Sequence, residues 1–307
     1  MMQSTSALPN IDDLKNADDE ERISFIRKTK WLNYPLGQKI LDQLEDLKKY
    51  EQNKSRVTSI LIIGSGNSGK TALLNRFMEI HPPYDMFESN PDRLTTEFFN
   101  EYNAFGIPVV YIAAPAEPSE TRLYSIILNT LSAPFKERDT VSRKQFLVEY
   151  YCKVLHVEVL IIDEIHNILA GSPAKQRQMM NSIKNLSNNL KIPIVLAGIK
   201  DALRAVSTDT QISSRFRPVY LPKWTMDQDY ISLLGTIDSI LPLRKKSSLL
   251  TTSVALEILK RSHGILGHII GLTQAAAIHA IKTKSEKITL NEIQNCEYDS
   301  GEDTRDV

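Results

Sequence analysis

Hydrophobic positions along the chain follow two spacings. Unbroken apolar runs occur at Thr58–Ile63, Ile107–Ala113, Val159–Ile162 and Ile194–Gly198, with a shorter one at Val219–Leu221. Runs of this length and β-branched content predict strands buried on both faces, as in a parallel sheet. Between them the apolar residues recur at helical spacing, predicting helices from Ser119 to about Leu131, from about Val141 to Leu155, and from Ala174 to about Leu190. Ser172 and Pro173 supply the cap and first position of the last of these. Before the first strand, Ile23, Ile26, Trp31, Leu32, Ile40, Leu41, Leu44 and Leu47 describe an amphipathic segment that Pro35 interrupts, so two short helices around a turn are expected. Residues 81–106, with His81-Pro82-Pro83 and Asn90-Pro91, read as a partly helical insertion.

After Trp224 the pattern becomes all-helical: Tyr230–Leu241, Ser253–Ser262 and Gly267–Lys282. The expected organisation is a loose arm over residues 1–20, a helical segment over 21–55, an α/β core over 56–222, a helical lid over 223–285 and a tail over 286–307. The fold class is α/β, a parallel sheet flanked by helices and followed by a small helical domain.

The first strand runs into Gly64-Ser65-Gly66-Asn67-Ser68-Gly69-Lys70-Thr71, and Ala72-Leu73-Leu74 then opens a helix. Glycines let backbone N–H groups curl around an anion, and the helix N-terminus adds partial positive charge. Lys70 can reach β- and γ-phosphates, and the Thr71 hydroxyl can ligate Mg²⁺. The spacing and both flanks point to a nucleoside triphosphate with Mg²⁺ rather than to a chance glycine turn.

About 90 residues later, Val159-Leu160-Ile161-Ile162 ends in Asp163-Glu164. Ligands sit at the carboxyl ends of parallel strands. Asp163 is therefore expected to hold Mg²⁺, directly or through water, and Glu164 to polarise the attacking water. The acids could otherwise simply cap the next segment. An additional strand between the two motif strands places the chain with ATPases that carry their own base. Ile194–Gly198 is expected beside the phosphate-loop strand, with Lys200 at its exit as the nearest polar residue to the γ-phosphate. Arg215, in Ser213-Ser214-Arg215-Phe216, stands where an arginine finger would reach a neighbouring subunit's nucleotide. A surface Arg paired to an acid is the plainer alternative.

Composition narrows the setting. The 307 residues are 42% hydrophobic, with 37 basic and 37 acidic side chains, so nucleic-acid binding would need a local patch. No apolar run approaches the length of a membrane span, and the first ten residues lack the pattern of a secretory signal. Cys152 and Cys296 are far apart and lack metal-ligand spacing, in keeping with a reduced cytoplasm. Phosphate-backbone contacts are expected from Thr121, Arg122, Lys136, Arg138, Thr140, Arg143 and Lys144. A solvated face is the alternative, because Glu137 and Asp139 dilute the run; Lys175, Arg177 and Lys184 form another candidate patch. Trp31, Tyr34 and Pro35 could line a nucleobase pocket or simply belong to a core.

Taken together, Gly64–Thr71, Asp163-Glu164-Ile165-His166-Asn167, Ile192-Pro193-Ile194-Val195, Ser214-Arg215-Phe216 and the helical lid resemble an AAA+ ATPase. Trp31-Leu32-Asn33-Tyr34-Pro35, Leu221-Pro222-Lys223-Trp224 and Leu241-Pro242-Leu243-Arg244 make the chain similar to the TniB/TnsC family of transposition regulators over roughly residues 20–285. The resemblance implies a homo-oligomer, ring or helical filament, that forms with ATP on double-stranded DNA and presents it to a transposase. It also implies hydrolysis-driven disassembly and a TniQ-like target-selection adaptor. One departure stands out: Gly267, beside His268, falls where a lid sensor Arg is expected, which predicts slow intrinsic hydrolysis. A helicase-loader ATPase and a nucleotide-gated signalling NTPase without DNA binding remain open as other functions.

Overall fold

The computed structural model describes residues 10–28, 31–86, 105–206 and 215–299. The expectations for the first nine residues, most of the 81–106 insertion, Gln211–Ser214 and the end of the acidic tail lie outside those residues. The chain divides into two compact units. One comprises Lys39–Gly66 and Lys70–Leu221; the other comprises the residues up to Gln38, Asn67–Gly69 and the residues from Pro222 on.

The larger unit is built on a five-stranded parallel sheet. Its strands are β1 (Ser59–Gly64), β4 (Val109–Ala113), β5 (Val159–Asp163), β6 (Ile194–Gly198) and β7 (Phe216–Leu221), in the order β4-β5-β6-β1-β7. A separate two-residue pair, β2 (Tyr84–Asp85) and β3 (Phe105–Gly106), is antiparallel. Every residue of β1, β5 and β6 is buried, which is why these segments read as unbroken apolar runs rather than alternating ones. β6 lies beside the phosphate-loop strand, with Ile63 opposite Gly198, and separates it from the Asp163 strand. β7 starts at Phe216, three residues before the run that flagged it. Pro218 sits inside it and the strand lies at a sheet edge, where a missing N–H is tolerated.

Helices cover the sheet: α4 (Lys70–Ile80), α5 (Glu120–Thr130), α6 (Val141–Val154), α7 (Pro173–Leu190) and the short α8 (Ala202–Val206). Three of them start at side-chain caps, of which Ser172 was read as a cap from sequence. Ser119 accepts from Arg122 N–H, Thr140 from Arg143 N–H, and Ser172 from Lys175 N–H with Pro173 in the first turn. Leu123, Ile127, Val148, Met180, Ile183 and Leu186 from these helices meet Ile112, Leu160 and Leu196 of the sheet in one core.

The second unit is helical. The described N-terminal residues form α1 (Ile11–Asn16), α2 (Asp19–Arg27) and the start of α3 (Pro35–Tyr50). Pro35 occupies the first position of α3, where its missing N–H costs nothing. The remainder is α9 (Gln228–Ile240), α10 (Thr252–Ser262), α11 (Leu266–Lys282) and α12 (Leu290–Asn295). Residues 286–296, read from sequence as the start of a tail, carry α12, which opens with a Thr289/Glu292 capping box, and Ile288 and Ile293 are buried in the core of the helical unit. Arg22 of α2 is fully buried and grips Glu286 with two hydrogen bonds of 2.7 and 2.8 Å, with a third to Asp19 at 2.9 Å.

Candidate nucleotide site

The phosphate loop leaves β1 at Gly64 and re-enters helix at Lys70. Two of its residues have left-handed backbone: Asn67 at φ 58° and Gly69 at φ 92°, the latter a conformation that strains any residue with a Cβ. Lys70 is buried, and its Nζ donates to the carbonyls of Gly64 at 2.9 Å and Ser65 at 2.8 Å. Desolvation pulls its pKa below the usual lysine value, partly offset by the nearby charges of Asp163 and Glu164. The Ser68 hydroxyl is buried and has no hydrogen-bond partner. A desolvated ammonium satisfied only by carbonyls, an orphaned hydroxyl and a loop of free backbone curvature fit a phosphate chain.

At the head of α4, Thr71 Oγ1 donates to Asp163 Oδ2 at 2.8 Å, across 92 residues of sequence. The parallel register that sets β6 between β1 and β5 brings these two motifs to one end of the sheet. A hydroxyl and a carboxylate oxygen are hard ligands suited to Mg²⁺, which commonly takes one or two protein oxygens and completes its shell with phosphates and water. The residues present therefore fit that ion, which Thr71 and Asp163 would hold.

A third side chain joins this cluster that the sequence reading missed. Tyr111 of β4 donates from its hydroxyl to Asp163 Oδ2 at 3.0 Å. Burial, and then the negative charge of Asp163, push its pKa far above the usual phenol value. Its signal in the sequence was a single hydroxyl within Val109-Val110-Tyr111-Ile112-Ala113, one strand from the acids. Asp163 also accepts the N–H of Glu164 at its Oδ1, at 2.8 Å. Glu164 itself has left-handed backbone, φ 55° and ψ 35°, and its carboxylate lies 3.2 Å from His166 Nε2.

Other candidates stand apart. Lys200 is exposed in the turn after β6, and no hydrogen bond or ion pair links it to Thr71, Asp163 or Glu164 among the described residues. Arg215 is half-buried and donates to Asn188 Oδ1 of α7, while its carbonyl accepts Ser59 N–H at 2.9 Å. Among the basic residues proposed for phosphate contacts, Arg122, Lys136, Arg138 and Arg143 are exposed, as is Thr140, and Thr121 is half-buried. Lys144 must be withdrawn from that set. It is fully buried, and its Nζ donates to Ser125 Oγ at 2.9 Å and to the Glu137 carbonyl at 3.1 Å, fastening α6 to α5. Arg143 lies 5.3 Å over the exposed Phe146 ring.

Within the helical unit, the N–H of Gly267 donates to the Asn67 carbonyl at 2.9 Å. A Cβ on Gly267 would stand 2.2 Å from Asn67 Oδ1, so any larger residue requires that side chain to swing aside. Tyr34 lies in an aromatic chain, 5.9 Å from Trp31 and 5.6 Å from Trp224. Its hydroxyl is buried without a partner, and burial pushes its pKa up to about 12. A Cβ on Gly69 would lie 3.9 Å from that hydroxyl.

This sheet order, helical lid and constellation define an AAA+ ATPase. Solved structures with the same fold include the Aeropyrum pernix ORC1 protein in complex with DNA, 14% identical with a TM-score of 0.58 over 89% of this chain and 67% of that one. Cdc6p from Pyrobaculum aerophilum is 17% identical, with a TM-score of 0.58 over 89% of this chain and 68% of its own. The Aeropyrum pernix ORC2 protein, solved as ADPNP–ADP complexes, is 13% identical with a TM-score of 0.56 over 88% of this chain and 70% of that one. The model of the bacterial TniB protein family matches residues 22–226, and the chain belongs to that family. No curated protein matches it. Among the described residues no helix is long and apolar enough to cross a membrane.

Proposed function

We propose that this chain is a Mg²⁺-dependent ATPase that regulates DNA transposition by assembling on double-stranded DNA and presenting it to a transposase. The observation that carries the nucleotide part is the Thr71–Asp163 bond of 2.8 Å, which joins the phosphate loop to the acid pair. Lys70 would neutralise phosphate charge, Thr71 and Asp163 would hold Mg²⁺, and Glu164 would take up the proton of the attacking water. Mg²⁺, when bound, supplies charge neutralisation at the β- and γ-oxygens. Tyr34, with its orphaned hydroxyl, would meet the nucleobase, with Trp31 beside it. Arg215 would act in trans, exchanging its bond to Asn188 for a neighbouring subunit's γ-phosphate, so turnover would depend on assembly.

The regulatory part rests on membership of the TniB family and is supported by the solved ORC1 protein, which was captured with DNA. Arg122, Lys136, Arg138, Thr140 and Arg143 are the exposed or capping groups that would follow the backbone phosphates without reading sequence. A TniQ-like adaptor would link the assembly to its targeting machinery. Imaging purified protein with duplex DNA and an ATP analogue, ADP or no nucleotide tests this. Rings or filaments on DNA with the triphosphate alone are expected; particles that ignore both nucleotide and DNA would move the weight to a signalling NTPase.

A further inference from the structure

Helix α11 carries two glycines one turn apart on one face, Gly267 and Gly271. Each admits a different segment of the helical unit. The N–H of Gly267 donates to the Asn67 carbonyl at 2.9 Å, and a Cβ on Gly267 would stand 2.2 Å from Asn67 Oδ1. A Cβ on Gly271 would stand 2.8 Å from the Tyr298 ring, so the absent side chain is what lets that ring lie on the helix. Tyr298 is held there at both ends. Its hydroxyl shares a hydrogen bond of 2.8 Å with Nδ1 of His268, in the first turn of α11, and its carbonyl accepts Arg261 Nη2 of α10 at 3.2 Å. Arg261 also donates to the Ile293 carbonyl of α12. A residue beyond α12 thus closes on the turn whose N–H grips the phosphate loop.

The Gly267 bond bears on phosphate binding through one peptide plane. A trans peptide is planar, so its carbonyl and the following N–H turn as one body. Holding the Asn67 carbonyl therefore fixes the direction of the Ser68 N–H. Asn67 has left-handed backbone, φ 58°, a region that costs energy for a residue with a Cβ and leaves the plane dependent on an outside bond. A flipped plane would turn a carbonyl oxygen toward an anion that needs a donor. We propose that Tyr298 is a positioning residue for ATP: by seating the first turn of α11, it holds the Asn67–Ser68 peptide in its phosphate-binding orientation. The segment after α12 thereby sets nucleotide affinity. This rests on the reading of Gly64–Thr71 as the ATP site.

The test compares full-length wild type, Y298F, H268F, H268N, the Y298F/H268F double variant and K70A. Equilibrium binding of a fluorescent ATP analogue gives affinity, and thermal melts give stability. Amide hydrogen exchange of the nucleotide-free protein follows Gly64–Thr71. Losing the hydroxyl's bond should weaken analogue binding by Y298F about three- to tenfold, the span of one net hydrogen bond. Exchange over the phosphate loop should quicken in the same variant without nucleotide. H268F should match Y298F, and the double variant should bind no more weakly than either, since both remove one bond. H268N, whose amide reaches the place of Nδ1, should bind as wild type does. Variants that bind the analogue and exchange as wild type, whatever their melting temperature, would make Tyr298 a packing residue only. That result would overturn the positioning role and leave the ATP site standing. Analogue binding that wild type lacks, or that K70A retains in full, would overturn the ATP site and the positioning role with it.

Discussion

At the residue scale, the site is a set of polar atoms whose partners are known and a few whose partners are missing. Asp163 Oδ2 is held from two sides, by Thr71 at 2.8 Å and Tyr111 at 3.0 Å. Replacing Tyr111 with Phe removes one donor from the expected Mg²⁺ ligand while leaving the ring in place. The Mg²⁺ concentration that supports half-maximal nucleotide binding should rise several-fold, with affinity in EDTA unchanged. An unchanged Mg²⁺ dependence would show that Thr71 alone orients the acid. Tyr34 makes the opposite kind of test. If its hydroxyl serves the nucleobase, Tyr34→Phe should lower ATP affinity about three- to tenfold and narrow the preference over GTP. If the hydroxyl is only an orphan in the core, its removal should raise the melting temperature and leave binding alone, because a buried unpaired group costs about 1–3 kcal/mol.

The motifs most legible in the sequence are those whose chemistry is local. Gly64–Thr71 and Asp163-Glu164 needed only their spacing and flanks. Tyr111 and Lys144 were not legible, for a shared reason: their roles depend on which element lies opposite. Lys144 reads as one cation in a basic run, yet the helical phase of α6 turns it onto Ser125 of α5. Tyr111 reads as part of a buried strand, and only the register of β4 against β5, with Ala113 opposite Asp163, brings its hydroxyl to the acid.

At the scale of elements, the caps and the apolar runs fixed most boundaries. Ser119, Thr140 and Ser172 each accept a backbone N–H at the start of the helix they precede. The order of the strands was partly readable, since the strand ending at Gly198 was expected beside the phosphate loop, and it lies there. What escaped was the joining of N-terminal and C-terminal helices. Arg22 and Glu286 are 264 residues apart, and neither carries a sequence signal for the other. Their pair is buried, so Arg22→Met, which leaves the carboxylate only its longer contacts with Arg244 (Nη1 at 3.6 Å, N–H at 3.5 Å), should destabilise the helical unit by up to about 3–5 kcal/mol in a thermal melt. A loss below about 1 kcal/mol would mean that Glu286 finds another donor. The Arg22 guanidinium holds the Glu286 carboxyl below its ordinary range. The stabilisation it gives is therefore complete above the ordinary glutamate pKa and is lost as pH falls below it. Wild-type protein should lose helical-unit stability on acidification more steeply than the Arg22 variant, as followed by circular dichroism.

At the scale of the molecule, the sheet, the lid and the phosphate loop make an AAA+ ATPase of the TniB family, and the open matter is what its nucleotide controls. A formal net charge of zero means that attraction to DNA must come from a face, not from the whole chain. Arg122, Lys136, Arg138 and Arg143 are the exposed basic groups from which the proposed function would build one. On the proposed function that face would be joined to the nucleotide through assembly, with Arg215 completing a neighbour's site. The most direct test is to image the protein by electron microscopy on duplex DNA, wild type beside Arg215→Ala, with an ATP analogue, with ADP and without nucleotide. The account predicts regular rings or filaments on DNA for wild type with the triphosphate analogue alone, and an Arg215→Ala protein that binds nucleotide but hydrolyses it at least tenfold more slowly. Wild-type particles that remain single and off DNA in all three conditions would contradict it.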